Sequence, residues 1–201
     1  GWEVSGIDFS SAGIESMNPT MVDRCEFGDV FELLDQRIDA GKAFDVVWLK
    51  HVLEHVVDPL GLLETLKKLT RPGGLLVVTV PNDFSALQQL LLDSGAISER
   101  FWIALPDHLS YFNAESLVSA AEHCGWTVRD LLSDFPIDLF LLHERSNYQR
   151  DRDRGPAAHQ ARLAFENMLG DVPHEKVNAL YRAMAQVGVG RSLTAFLQPG
   201  E

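Results

Sequence analysis

His51, Glu54 and His55 concentrate the most chemistry in the least sequence, within Lys50-His51-Val52-Leu53-Glu54-His55-Val56-Val57-Asp58-Pro59. Two enzymes can be read from that stretch. As His-x-x-Glu-His it has the spacing of an inverted zinc peptidase. On a helix His51 and His55 would face the same way and could hold a metal, with Glu54 as general base. As the end of an apolar strand running into a helix, it lies just past a strand's carboxyl end, where α/β folds bind their cofactors. The flanks favour the second reading. Phe44 to Leu49 is almost wholly apolar, as a strand buried on both faces of a parallel sheet would be, and Pro59 is a good first helical residue. His51 therefore falls at a strand-to-helix junction. No downstream acidic helix supplies an evident third ligand, although Glu115, Glu122 and Glu166 remain available. No metal site is assigned.

The rest of the chain must position that junction. Its 201 residues are enough for one full core, and 46% hydrophobic content argues against disorder. A formal charge of −12 disfavours nucleic acid, which needs clustered Lys and Arg. Cys25 and Cys124 stand in unrelated contexts and read as reduced, buried thiols of a cytoplasmic protein. No apolar run is long enough to span a membrane, and the start lacks a basic, apolar signal. Gly1 in place of Met reads as a processed or truncated product.

Strand and helix signals alternate. Strands are expected at Glu3–Ile7 (ending at Asp8), Arg24–Phe27, Phe44–Leu49, Leu75–Val80, Trp126–Leu132 and Arg191–Leu197. Helices are expected from Ser10 to about Met21, from Val30 to Ala40, from Pro59 through the Leu62, Leu63, Leu66 and Leu69 stripe, from Phe84 to Leu92, and after Asn113. Arg71-Pro72-Gly73-Gly74 reads as a turn, Ser98 to Tyr111 as a lid or wall, and residues 146–155 as a charged loop. Two amphipathic helices, Ala157–Leu169 and His174–Val187, precede the last strand. The order implies right-handed parallel βαβ units in a single α/β domain covering 1–201, with residues 146–187 as an excursion within it.

Four segments in order resemble the class I S-adenosylmethionine-dependent methyltransferases. They are Val4-Ser5-Gly6-Ile7-Asp8-Phe9-Ser10, Cys25-Glu26-Phe27-Gly28-Asp29-Val30, the Phe44–Pro59 stretch (similar to FDxVxxxxVLEHxxDP), and Leu69–Asn82 (similar to LxPGGxLxxxxPN). Asp107-His108-Leu109-Ser110-Tyr111-Phe112 followed by Cys124-Gly125-Trp126 is similar to members acting on small molecules. The resemblance implies a Rossmann-like, mostly parallel sheet with an antiparallel last strand and helices on both faces. The helical pair is inserted before that strand. It implies S-adenosyl-L-methionine as cofactor, Asp8 on the ribose hydroxyls, and Phe9 on the adenine face. Asp29 would meet the adenine amino group and the Val30 backbone a ring nitrogen, with the backbone of Lys50 and His51 near the methionine moiety. Each residue also has a plainer reading: Asp8 and Asp29 as turn or helix-capping acids, Phe9 as core, Lys50 as a surface lysine.

The resemblance further implies a strand and a Gly-x-Gly-x-Gly loop ahead of Gly1. No such triplet occurs near the start, and Gly188-Val189-Gly190 lies far out of order. The sheet must then close its gap by pairing the flanking strands or by a partner chain. This chain is expected to bind S-adenosylmethionine poorly or not at all, and submicromolar affinity would contradict that. For the transfer itself, His108 is the candidate base, with His55, Asn82 and Tyr111 as candidate linings of the acceptor pocket. His55 and His108 can equally be loop-orienting histidines. The expected function is methyl transfer to a small-molecule acceptor in the full-length parent. The alternatives are a degenerate, non-catalytic methyltransferase-like scaffold that binds a protein partner and, remotely, the zinc peptidase. The helical pair is open to being a lid, a homodimer surface or filler. A dehydrogenase lacks its fingerprint glycines, and no Gly-x-Ser-x-Gly elbow supports a serine hydrolase.

Overall fold

A computed structural model describes residues 1–200 and arranges them as strands β1 (Gly6–Asp8), β2 (Cys25–Phe27), β3 (Phe44–Lys50), β4 (Thr70–Pro81), β5 (Trp126–Ser133) and β6 (Ser192–Pro199). The main helices are α1 (Ala12–Met17), α2 (Val30–Asp39), α3 (Pro59–Leu69), α4 (Ala86–Asp93), α5 (Ala114–His123), α6 (Gly155–Leu169) and α7 (His174–Gln186). β3 runs parallel to β4, whereas β6 is antiparallel to both β4 and β5, giving the order β3-β4-β6-β5. β1 and β2 form a separate parallel pair. The fold is the mixed α/β arrangement expected, with its last strand reversed.

Local chemistry explains the boundaries. The first helix stops at Met17, short of the expected Met21, because Pro19 cannot continue it and a 3₁₀ turn takes over at Pro19–Arg24. Asp29 caps α2 by accepting from the backbone N–H of Phe31 and Glu32. Asp58 caps α3 with Pro59 in its first turn. Ser85 and Gln88 form a capping box on α4, which opens at Ala86, two residues beyond the expected Phe84. Arg71-Pro72-Gly73-Gly74 is absorbed into β4 as an irregularity between two paired stretches, with Gly73 at φ 76°. The charged stretch before the helical pair is a run of short 3₁₀ turns.

The main core lies over the four-stranded sheet. Leu62, Leu63, Leu66 and Leu69 of α3 pack there with Leu76, Val78 and Val80 of β4 and with Leu193, Ala195 and Leu197 of β6. Full burial of such a side chain stabilises the fold by about 1.5–3 kcal/mol. A second cluster of Leu87, Leu91, Ile97, Trp102 and Leu141 holds α4 against the segment after β5. Arg191 stitches that segment to the sheet. Its guanidinium reaches Asp138 at 2.9 Å, and its backbone N–H donates to Asp134.

One expectation about the sheet fails. β3 is not buried on both faces: Trp48 is 70% and Val46 41% exposed. The cause is a slot of about 650 Å³ between β1 and β3, lined by Trp2, Ile7, Leu34, Val46 and Trp48 among others. The flanking strands do not pair across it, so direct closure of the gap is excluded in this chain. Arg37 is the main tie, donating to the Gly6 carbonyl and to Glu26 at 2.6 Å, with its guanidinium 5.8 Å from the Phe44 ring centre.

Candidate active site at the strand ends

The carboxyl ends of β1 to β4 carry the residues singled out by sequence. Asp8 ends β1, exposed, and its carboxylate accepts from Ser10 N–H at 3.0 Å, which fixes the turn. Phe9 beside it is 86% exposed. Asp29 follows β2, and one carboxylate oxygen takes both helix N–H groups at 2.9 and 3.1 Å. Only its second oxygen is left for anything outside the helix. Val30 is half-buried as the first residue of α2. Lys50 ends β3 with its side chain exposed.

At His51 the backbone turns into left-handed space, φ 51°, an uncommon conformation for a residue with a Cβ. Its N–H still donates to the Thr79 carbonyl, so the turn begins only once the β3–β4 ladder is complete. The helix starts at Pro59, so His51 and His55 do not share a helical face. That geometry removes the inverted-peptidase arrangement.

A loop from the far side closes over this turn. Leu109 and Ser110 donate backbone N–H groups to the Glu54 carbonyl at 2.8 and 3.1 Å. His55 Nδ1 lies 2.7 Å from the Asp107 carbonyl. The His55 and His108 rings stand edge to face at 4.8 Å, and Tyr111 lies 6.0 Å from His108. Residues 107–111 are the part of the expected 98–111 lid or wall segment that lies against this turn. Tyr111 Oη accepts from Ala104 N–H at 3.2 Å, which gives that hydroxyl a bond within its own loop. Phe84, also at positive φ, extends the aromatic wall to Trp102 at 5.9 Å.

Beneath the wall lie buried acids. Glu54 is 1% exposed; its Oε1 is 3.2 Å from His51 Nδ1 and its Oε2 has no partner. Asn82 is also 1% exposed, and its amide donates to the Gly190 carbonyl, tying β4 to the entry of β6. Asp83 was missed by the sequence reading. It is 2% exposed with Oδ2 unpartnered, and burial pushes its carboxyl up to about 7, with Arg191 opposing the rise and Glu54 adding to it. The signal was available: Asp83 directly follows Pro81-Asn82 at a strand's carboxyl end, the same placement that picked out Asp8.

Parallel strands ending in exposed acids, a left-handed turn after β3 and an aromatic loop above it fit a Rossmann-like methyltransferase fold. The chain belongs to the methyltransferase domain family, whose model matches residues 1–131. Over 89 residues it is 28% identical to the ubiquinone biosynthesis O-methyltransferase of Aeromonas salmonicida, a match covering 44% of this chain and 37% of that protein. Over 43 residues it is 49% identical to the like-named protein of Cereibacter sphaeroides, covering 21% of this chain and 17% of that one. The matched stretches thus span well under half of these relatives' length. Among solved structures, a SAM-dependent methyltransferase from Archaeoglobus fulgidus superposes with a TM-score of 0.57 at 16% identity, over 98% of this chain and 76% of that one. The cyclase SpnF follows at 0.51 and 16%, over 98% and 67%. The second likeness shows that the fold alone does not fix the reaction.

Proposed function

We propose that this chain forms one wall of an S-adenosylmethionine site and the acceptor side of a small-molecule O-methyltransferase. The observation that carries the proposal is the placing of Asp8, Asp29 and the His51 turn at the carboxyl ends of β1, β2 and β3, on a chain of the methyltransferase family. The names of the relatives support a hydroxyl as acceptor.

In this reading Asp8 accepts from the ribose hydroxyls, and the exposed Phe9 ring covers the adenine. The free oxygen of Asp29 receives the adenine amino group, and the Val30 backbone serves a ring nitrogen. The backbone at Lys50 and His51 holds the methionine end. The acceptor lies under residues 107–111, lined by His55 and Tyr111, while Asn82 supports that floor from within the core. Transfer is an in-line attack on an activated methyl, so positioning and exclusion of water supply most of the rate. His108 is the proposed group for taking the acceptor's proton. The protein works without nucleic acid and in the cytoplasm.

The slot beside β1 leaves the methionine side of the pocket unsupported, so binding by this chain is expected to be weak, with Kd above about 1 µM. Calorimetric titration with S-adenosylhomocysteine tests the reading. Weak, saturable binding abolished by Asp8→Ala supports it. No binding at millimolar ligand, or binding indifferent to Asp8→Ala, contradicts it.

A further inference from the structure

Glu54, His55 and His108 bring three potential metal-ligand atoms within 4.8 Å of one another, from two loops. This is not the pair the sequence offered: His51 is a hydrogen-bond partner of Glu54 and is not in the cluster, where His108 takes its place. The tautomer of His55 can be assigned. A carbonyl only accepts, so His55 Nδ1, 2.7 Å from the Asp107 oxygen, carries the hydrogen and Nε2 holds a lone pair. That Nε2 lies 3.9 Å from Glu54 Oε1. The other Glu54 oxygen is buried and unpartnered, and so is His108 Nδ1.

Glu54 Oε2 and His108 Nδ1 are thus buried without a hydrogen-bond partner, close to the His55 lone pair. A metal ion drawn to these three groups would give each unpartnered atom a bond. We propose that Glu54, His55 and His108 bind a divalent transition metal of the zinc type. Two imidazoles and one carboxylate suit such an ion, whereas magnesium and calcium prefer all-oxygen sets. Three protein ligands also leave a fourth position open, as in catalytic zinc sites. Bonds of about 2.0–2.2 Å put ligand atoms roughly 3.4 Å apart, so the cluster must draw in by about 1.5 Å at its widest. The His55 side chain is 41% exposed and free to do so, while the two backbone bonds onto the Glu54 carbonyl hold the loops in register.

Metal binding does not depend on the methyl-transfer reading. Its consequence does: an ion here would hold an acceptor hydroxyl and lower its pKa, the proton leaving to water, and would take over the role assigned to His108.

The test is calorimetric titration of the 201-residue chain with zinc sulfate, without cofactor, repeated on His55→Gln, His108→Gln and the distant surface variant His174→Gln, with circular dichroism to confirm the fold. The expected result is one ion per chain, weakened more than about tenfold by either of the first two changes and unaltered by the third. Binding that does not saturate at one ion, or that His55→Gln and His108→Gln leave intact, overturns the proposal. Cobalt absorption on the unaltered chain decides it without any substitution. A four-coordinate visible spectrum supports the site, and the spectrum of hydrated cobalt contradicts it.

Discussion

The β1–β2 pair and the four-stranded sheet belong to one chain but differ in how they are held. Every strand residue of β1 and β2 is exposed or half-exposed, and the first buried residue of the chain is Leu34. In β4, Leu76, Val78 and Val80 are each 0% exposed, covered by α3 and by β6. A parallel strand is stable when both its edges and both its faces are occupied. β4 has all four; β1 has one edge pairing and an arginine clamp. Asp8 and Asp29 therefore sit on the less supported half, whereas the His51 turn and residues 107–111 lie at the better supported one.

That contrast can be broken by substitution, and the largest effect is expected in the sheet. Leu76→Ala should cost about 3 kcal/mol by urea unfolding, whereas Ile7→Ala should cost under about 1 kcal/mol. Comparable losses at both positions would mean that the two halves are equally packed. Next comes Arg191→Ala. It leaves Asp138, 3% exposed, with only the Tyr148 hydroxyl, and a loss of about 2–3 kcal/mol is expected because Arg191 is itself partly exposed. The same assay checks it, and a neutral result would remove the ion pair from the list of ties.

Asp83 gives a smaller effect with a defined direction. Its folded-state pKa of about 7 lies above the ordinary 3.8, so the folded chain binds the proton more tightly than the unfolded chain does. Its contribution favours folding at low pH and is lost as pH rises from about 4 through 7. Stability should fall by up to about 1.4 kcal/mol per pH unit within that window, and Asp83→Asn should flatten the fall. Unfolding titrations at a series of pH values measure this, and an unchanged slope in the variant would assign the dependence to other groups. Smallest is Asp29→Ala, which removes the α2 cap for about 1 kcal/mol. Hydrogen exchange should show the loss confined to α2 and the β1–β2 pair.

Most of the fold could be read from the sequence because its signals were local. Alternating apolar runs, Asp58-Pro59 and Asn113 marked the elements, and the reversed last strand followed from the family resemblance. Asp8, Asp29 and the His51 turn were legible from their places after strands. What was not legible depended on non-local partners. The exposure of Trp48 reflects a slot between two segments distant in sequence, and no property of Phe44–Leu49 announces it. His55 and His108 are 53 residues apart, and only the hydrogen bonds from residues 107–110 onto Glu54 and His55 bring them together. Asp29 was expected to face a ligand, yet much of its carboxylate is engaged by its own helix.

The most direct measurement is a crystal of this chain soaked in S-adenosylhomocysteine. Density for the adenosine between Asp8 and Asp29, with the amino-acid end at the His51 turn, is the expected result. Ordered ligand elsewhere on the chain, with those strand ends empty, would contradict the assignment of this wall to the cofactor.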